Sequence, residues 1–111
     1  MLIPNAESAI ADIRKLRDYC LNTDHREGKH KAELFLSTLG MTAENAEELR
    51  QILLNRVRTN EAQLARKDDY GQRYILDFEI SWHNRKTIIR SAWIIKTGSE
   101  IPELTTCYPL K

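Results

Sequence analysis

The sequence predicts an α+β fold, with three N-terminal helices packed on one face of a roughly four-stranded antiparallel sheet. Two observations carry this. Apolar residues recur at helical spacing as far as Asn60, where the period changes from 3.6 to 2. The strand-like runs that follow are joined by turns too short for a crossover, so neighbouring strands run antiparallel. The helices must then cover one face of that sheet.

The first helix is expected over 6–21, capped by Asn5 or Ser8. Ile10, Ile13, Leu16 and Cys20 fall on one side of it, and Arg14, Arg17 and Asp18 on the other. The polar stretch NTDHREG from Asn22 to Gly28 reads as a loop. A second helix is expected over 29–39, with Ala32, Phe35, Leu36 and Leu39 as its apolar stripe. Gly40 supplies the left-handed residue that ends it. The third, over 43–58, starts at Thr42 as N-cap. Glu44, Glu47 and Glu48 lie near its positive end, and Arg56 and Arg58 near its negative end.

The sheet is expected from about 61 to 108. Asp68-Asp69-Tyr70-Gly71 makes a turn with Gly71 free to take positive φ. The clearest alternation follows: Tyr74, Leu76, Phe78, Ile80 and Trp82 against Arg73, Asp77, Glu79 and Ser81. His83-Asn84-Arg85 turns the chain. The run KTIIRSAWIIK, apolar on both faces, belongs in the middle of the sheet. Residues Leu104 to Tyr108 form the last strand. Phe35, Leu49, Leu53, Leu76, Phe78, Ile80 and Trp93 are expected to share one core.

Length and composition set the class. The chain has 111 residues, enough to bury one core, and is read as a single domain over 1–111. It is 41% hydrophobic and 30% charged, which excludes a disordered chain. The formal net charge of +1 gives no bulk argument for nucleic acid or membrane. No apolar run approaches the ~18 residues of a membrane span, and the N-terminus lacks the pattern of a signal peptide. Cys20 and Cys107 are not paired in a CxxC motif and read as buried thiols of a cytoplasmic protein. No cofactor motif is present: there is no GxSxG, Walker loop, zinc knuckle or HExxH.

Charge concentrates in His25-Arg26-Glu27-Gly28-Lys29-His30-Lys31. If a helix starts near Lys29, its free N–H groups and these bases can hold an anion such as an RNA phosphate. A solvated loop is the plainer reading. Zinc is a weaker one, because no cysteine lies near His25 and His30. Arg90 sits in a strand rich in Ile, Ala and Trp. It either pairs with Asp77 or Glu79 or holds a phosphate in its planar fork. Tyr70 either stacks on a base or covers the edge of the core. Trp82 and Trp93 read as core.

The run Leu21-Asn22-x-x-His25-x-x-Gly28-x-x-Lys31-Ala32-x-x-Phe35-x-x-x-Leu39-Gly40 resembles the opening of a small, poorly characterised bacterial family. Tyr70-Gly71, Ala92-Trp93-Ile94 and Leu104-x-Thr106-x-x-Pro109 resemble its later turn and strands. That family occurs as short chains. It also occurs as the C-terminal domain of polymorphic and contact-dependent toxins and of phage-head fusion proteins. Toxin domains of this size and layout resemble, by analogy of architecture, the metal-independent ribonucleases of the barnase, RelE and colicin group. Those bind RNA across the concave sheet face and cut it by attack of the 2′-hydroxyl.

The resemblance implies catalytic roles for His25, Lys31 and Thr106, which match the family pattern. Arg90, Lys29 and His30 are candidate phosphate contacts, and Tyr70 a candidate substrate contact. Arg90 and His30 do not clearly match the pattern. The expected partners are RNA and a small neutralising protein, with neither cofactor nor membrane. Three readings stay open: a ribonuclease-like toxin domain, a non-catalytic protein-binding module forming half of a two-gene operon, and an enzyme acting on a small molecule.

Overall fold

The computed structural model describes residues 1–110. The sheet has four strands, β1 (Gln63–Asp68), β2 (Gly71–Trp82), β3 (Arg85–Lys96) and β4 (Pro102–Leu110), in the order β1-β2-β3-β4 with all pairs antiparallel. Consecutive strands are spatial neighbours because each connection is a short turn. The β2–β3 hairpin closes on His83 and Asn84, at φ 47° and 67°, and an asparagine tolerates that region. At Gly71, φ is 148°, and a Cβ there would stand 2.2 Å from the Ile95 carbonyl oxygen, so the β1–β2 turn requires glycine.

Ahead of the sheet lie three helices: α1 (Ile13–Lys15), a single turn, and the longer α2 (Lys29–Leu39) and α3 (Ala46–Thr59). The expectation of three N-terminal helices on one sheet face is therefore corrected. Residues 6–21 do not form one helix, and α3 runs past the middle of the chain. A 3₁₀ turn at Ala6–Ser8 gives way to extended backbone, where Ile10 forms a parallel bridge to Glu103 at the edge of β4. Ile10 N–H donates to the Pro102 carbonyl at 2.9 Å, and Leu104 N–H donates to the Ile10 carbonyl at 2.9 Å. Pairing with the sheet edge satisfies these groups and overrides the helical spacing of Ile10 and Ile13. The Asn5 side chain, expected as a cap, donates instead to the Glu100 carbonyl. The cap that forms is Asp12, whose Oδ1 accepts the Arg14 N–H at 2.9 Å and starts α1.

From Leu16 to Cys20 the helix widens into a π-turn. The Leu21 N–H reaches back five residues to the Leu16 carbonyl at 2.8 Å. Helix α2 ends on Gly40 in the left-handed region, as its sequence implies. Thr42 opens the α3 region through a reciprocal capping box with Asn45.

All seven expected core residues lie in one buried cluster with Leu16, Cys20, Ile89 and Cys107. The alternation in β2 turns Tyr74, Leu76, Phe78 and Ile80 inward and leaves Asp77 and Glu79 exposed. One polar side chain, Ser91, is fully buried among these. Its Oγ donates to the Leu76 carbonyl at 2.7 Å and accepts the Trp93 indole N–H at 2.9 Å. Both polar groups are thereby satisfied.

Candidate functional site

The loop before α2 and the π-turn meet beside β4, and the candidate residues separate according to whether they reach that meeting point. His25 is half-buried. Its Nδ1 accepts the backbone N–H of Glu27 at 3.0 Å and of Gly28 at 2.9 Å, and its carbonyl accepts the Lys29 N–H at 3.0 Å. These are among the groups that a helix start offers to an anion. Here the imidazole takes the two N–H groups of the turn that leads into α2. Because Nδ1 accepts, the neutral ring carries its proton on Nε2, the edge turned away from the backbone.

Tyr19, in the π-turn, stands at the centre. Its ring meets the His25 ring edge-on, at 5.0 Å between centroids and 85° between planes. On its other side the Lys31 ammonium donates to the Tyr19 hydroxyl at 3.1 Å and lies 5.2 Å from the ring centroid. The same ammonium is 5.8 Å from the ring of Tyr108 on β4. These contacts hold Lys31 in its charged form. Its pKa is raised above the ordinary value, first by the Tyr19 hydroxyl, against a smaller opposing effect of burial.

Below this layer lie the two thiols, each with no solvent exposure. Cys20 Sγ is 3.7 Å from Thr106 Oγ1. A hydrogen bond with Cys107 brings the Cys20 pKa down to about 7, while the Cys107 thiol is pushed up by Cys20 and by burial. The register of β3 with β4 shifts between Ala92, which faces Thr106, and Trp93, which faces Leu104. Thr105 is thus an extra residue, and such a bulge re-aims the side chains around it. Its Oγ1 donates to the Ala92 carbonyl at 3.0 Å. A cleft of about 460 Å³ opens at this place, lined by Asp12, Arg14, Lys15, Tyr19, His25 and Thr105.

His25, Lys31 and Thr106 are therefore gathered around the Tyr19–Cys20 dipeptide at the β4 edge. Arg90 is not. It lies opposite Tyr108 on the sheet face away from the core and pairs with Asp77 through two bonds of 2.9 Å, which raise its pKa. That is the ion pair its strand neighbours allow, and it occupies the guanidinium fork. Lys29 and His30 are exposed on the first turn of α2 and do not line the cleft. Tyr70 is 74% exposed in the β1–β2 turn, with β3 between it and β4.

Tyr19 and Lys15 were not singled out from the sequence. Tyr19 follows an apolar stripe read as helical, where an aromatic passes for core. Thr105 differs from Thr106 only through the bulge. Among the described residues no group of three or more His, Cys, Asp or Glu is placed to hold a metal ion. No helix among them is long and apolar enough to cross a membrane.

The chain superimposes on a solved structure described as a contact-dependent growth inhibition toxin–immunity protein complex from Klebsiella pneumoniae 342. The TM-score is 0.60, at 16% sequence identity, covering 96% of this chain and 97% of that one. At that identity the likeness is one of fold. No curated protein matches the chain. The family described as a domain of unknown function, DUF6883, matches over residues 2–111, and the chain belongs to it.

Proposed function

We propose that this chain is the RNA-cleaving half of a toxin–immunity pair, acting without a metal at the cleft beside β4. The observation that carries the reading is the gathering of His25 and Lys31 around Tyr19 and of Thr106 against the adjacent Cys20, within a fold similar to a chain from a toxin–immunity complex. Cleavage by the 2′-hydroxyl forms a bond from the 2′ oxygen to phosphorus as the bond to the 5′ oxygen breaks. It requires an acceptor for the 2′-hydroxyl proton, here solvent water, positive charge on the phosphate and a donor for the departing oxygen. Lys31 supplies the charge. The His25 Nε2–H steadies the departing oxygen by a hydrogen bond while that oxygen takes its proton from water, and the Thr106 hydroxyl orients the phosphate. Lys29, His30 and Arg90 lie outside the cleft. Their part, and that of Tyr70, is to meet RNA further along the strand, Arg90 after exchange of its Asp77 partner.

His25 also holds the turn before α2, so alanine is a poor probe of chemistry. His25→Ala strands two backbone N–H groups and should cost about 1 kcal/mol of stability. Asparagine is a good capping residue without an imidazole. His25→Asn should keep the melting temperature within a few degrees and abolish cleavage of total cellular RNA, read on gels at low salt. Full cleavage by His25→Asn, or none by the wild type, overturns the reading.

A second reading is that of the neutralising protein in such a pair. The net charge of +1 favours it, because nuclease affinity rests heavily on neutralising phosphates. A wild-type protein that binds no RNA at low salt but binds the product of an adjacent gene would establish it.

A further inference from the structure

We infer that Tyr19 is the positioning residue of this site, holding the Lys31 ammonium with its hydroxyl and the His25 imidazole with its ring so that both address one bound phosphate group. The inference rests on the proposed site and adds to it a residue that neither the motif nor the family pattern contains.

Three observations point to it. His25 lies in the loop before α2 and Lys31 inside the helix, and the side chain that touches both is Tyr19. An ammonium has donors only, so Lys31 donates to the phenolic oxygen, and the Tyr19 O–H proton is left directed away from it as a further donor. The backbone is built around this residue. The π-turn sets the direction of Tyr19, and such turns recur at functional sites. Gly28, one step before α2, packs so closely that a Cβ there would stand 2.3 Å from the Tyr19 carbonyl oxygen and 2.9 Å from its ring. Tyr19 and the start of α2 are thus locked together by backbone contact. A tyrosine that only filled core space would need neither its hydroxyl in a charge-assisted bond nor a glycine beneath it.

Charge in the cleft agrees. Arg14 and Lys15 line it with Tyr19, while its one carboxylate, Asp12, is taken up by Arg14 through bonds of 3.1 and 2.7 Å. An anion entering the cleft therefore meets Lys15, His25 and Tyr19, whose hydroxyl carries the Lys31 ammonium.

Tyr19→Phe removes the hydroxyl and keeps the ring. Inorganic phosphate is titrated into wild type and variant, and the side-chain resonances of Lys31 and His25 are followed by NMR. In the wild type both should shift along one binding curve. In Tyr19→Phe the melting temperature and the His25 shift should persist, while the Lys31 response falls several-fold. Cleavage of an oligoribonucleotide should then lose about tenfold in kcat with little change in KM, the effect of one charge-assisted bond. An unchanged Lys31 response in Tyr19→Phe overturns the inference, and so does a wild type in which phosphate moves only one of the two residues, or neither. A wild type that binds phosphate through both residues but cuts no RNA removes the ribonuclease reading and leaves the role of Tyr19 standing.

Discussion

Lys31 and Arg90 are both cations near β4, yet their surroundings divide them. Arg90 meets a carboxylate that neutralises it, whereas Lys31 meets a hydroxyl and two aromatic faces that stabilise its charge without cancelling it. An uncancelled cation is the one that can still attract a phosphate. The raised pKa of Lys31 also fixes a pH dependence. Its folded value lies above its unfolded value, so its contribution to stability is complete below the ordinary lysine value of 10.5 and is lost as pH rises through the raised one. Urea midpoints of wild type and Lys31→Met should therefore differ most at neutral pH and converge as pH rises through the raised value. A gap that widens with alkalinity would show that the ammonium is not held as described. Lys31 and His25 were legible in the sequence as polar residues in a charged loop. Their common neighbour was not, because a tyrosine beside Cys20 on an apolar stripe carries no sign of which way it faces.

At the scale of elements, β2 and the ends of α2 and α3 could be read directly. Their signals are local: a period of two, a Gly40 stop and a Thr42 cap. The first helix could not be read, because its fate is decided by a partner ninety-odd residues away, the edge of β4, which takes up the backbone of Ile10. The join between the π-turn and α2 is likewise tertiary. At Gly28 φ is −89°, so the glycine answers no left-handed turn there, and what approaches it is Tyr19. Gly28→Ala forces that backbone contact apart. It should cost on the order of 1–3 kcal/mol in chemical denaturation, far beyond the few tenths expected of a glycine that is merely exposed. It should also weaken phosphate binding.

For the whole molecule, one core is shared by the helices and one face of the sheet, so site and stability can be tested apart. Leu53 is 1% exposed in that core and belongs to α3, away from the cleft. Leu53→Ala should cost on the order of 2–5 kcal/mol and leave the phosphate affinity of the folded protein unchanged. A loss below about 1 kcal/mol would mean that α3 does not pack against the sheet as described.

The two margins of the sheet are unequal. The bridge from Ile10 shields part of β4, while β1 has no strand on its outer side and carries Leu64 at 63% exposure. An open margin is a template on which a second chain can add a strand. Two features blunt it here: the break in register between Leu64 and Lys67, and the charges of Arg66 and Lys67. Strand addition by a second copy of this protein would then start from β1, a strand that takes no part in the candidate site.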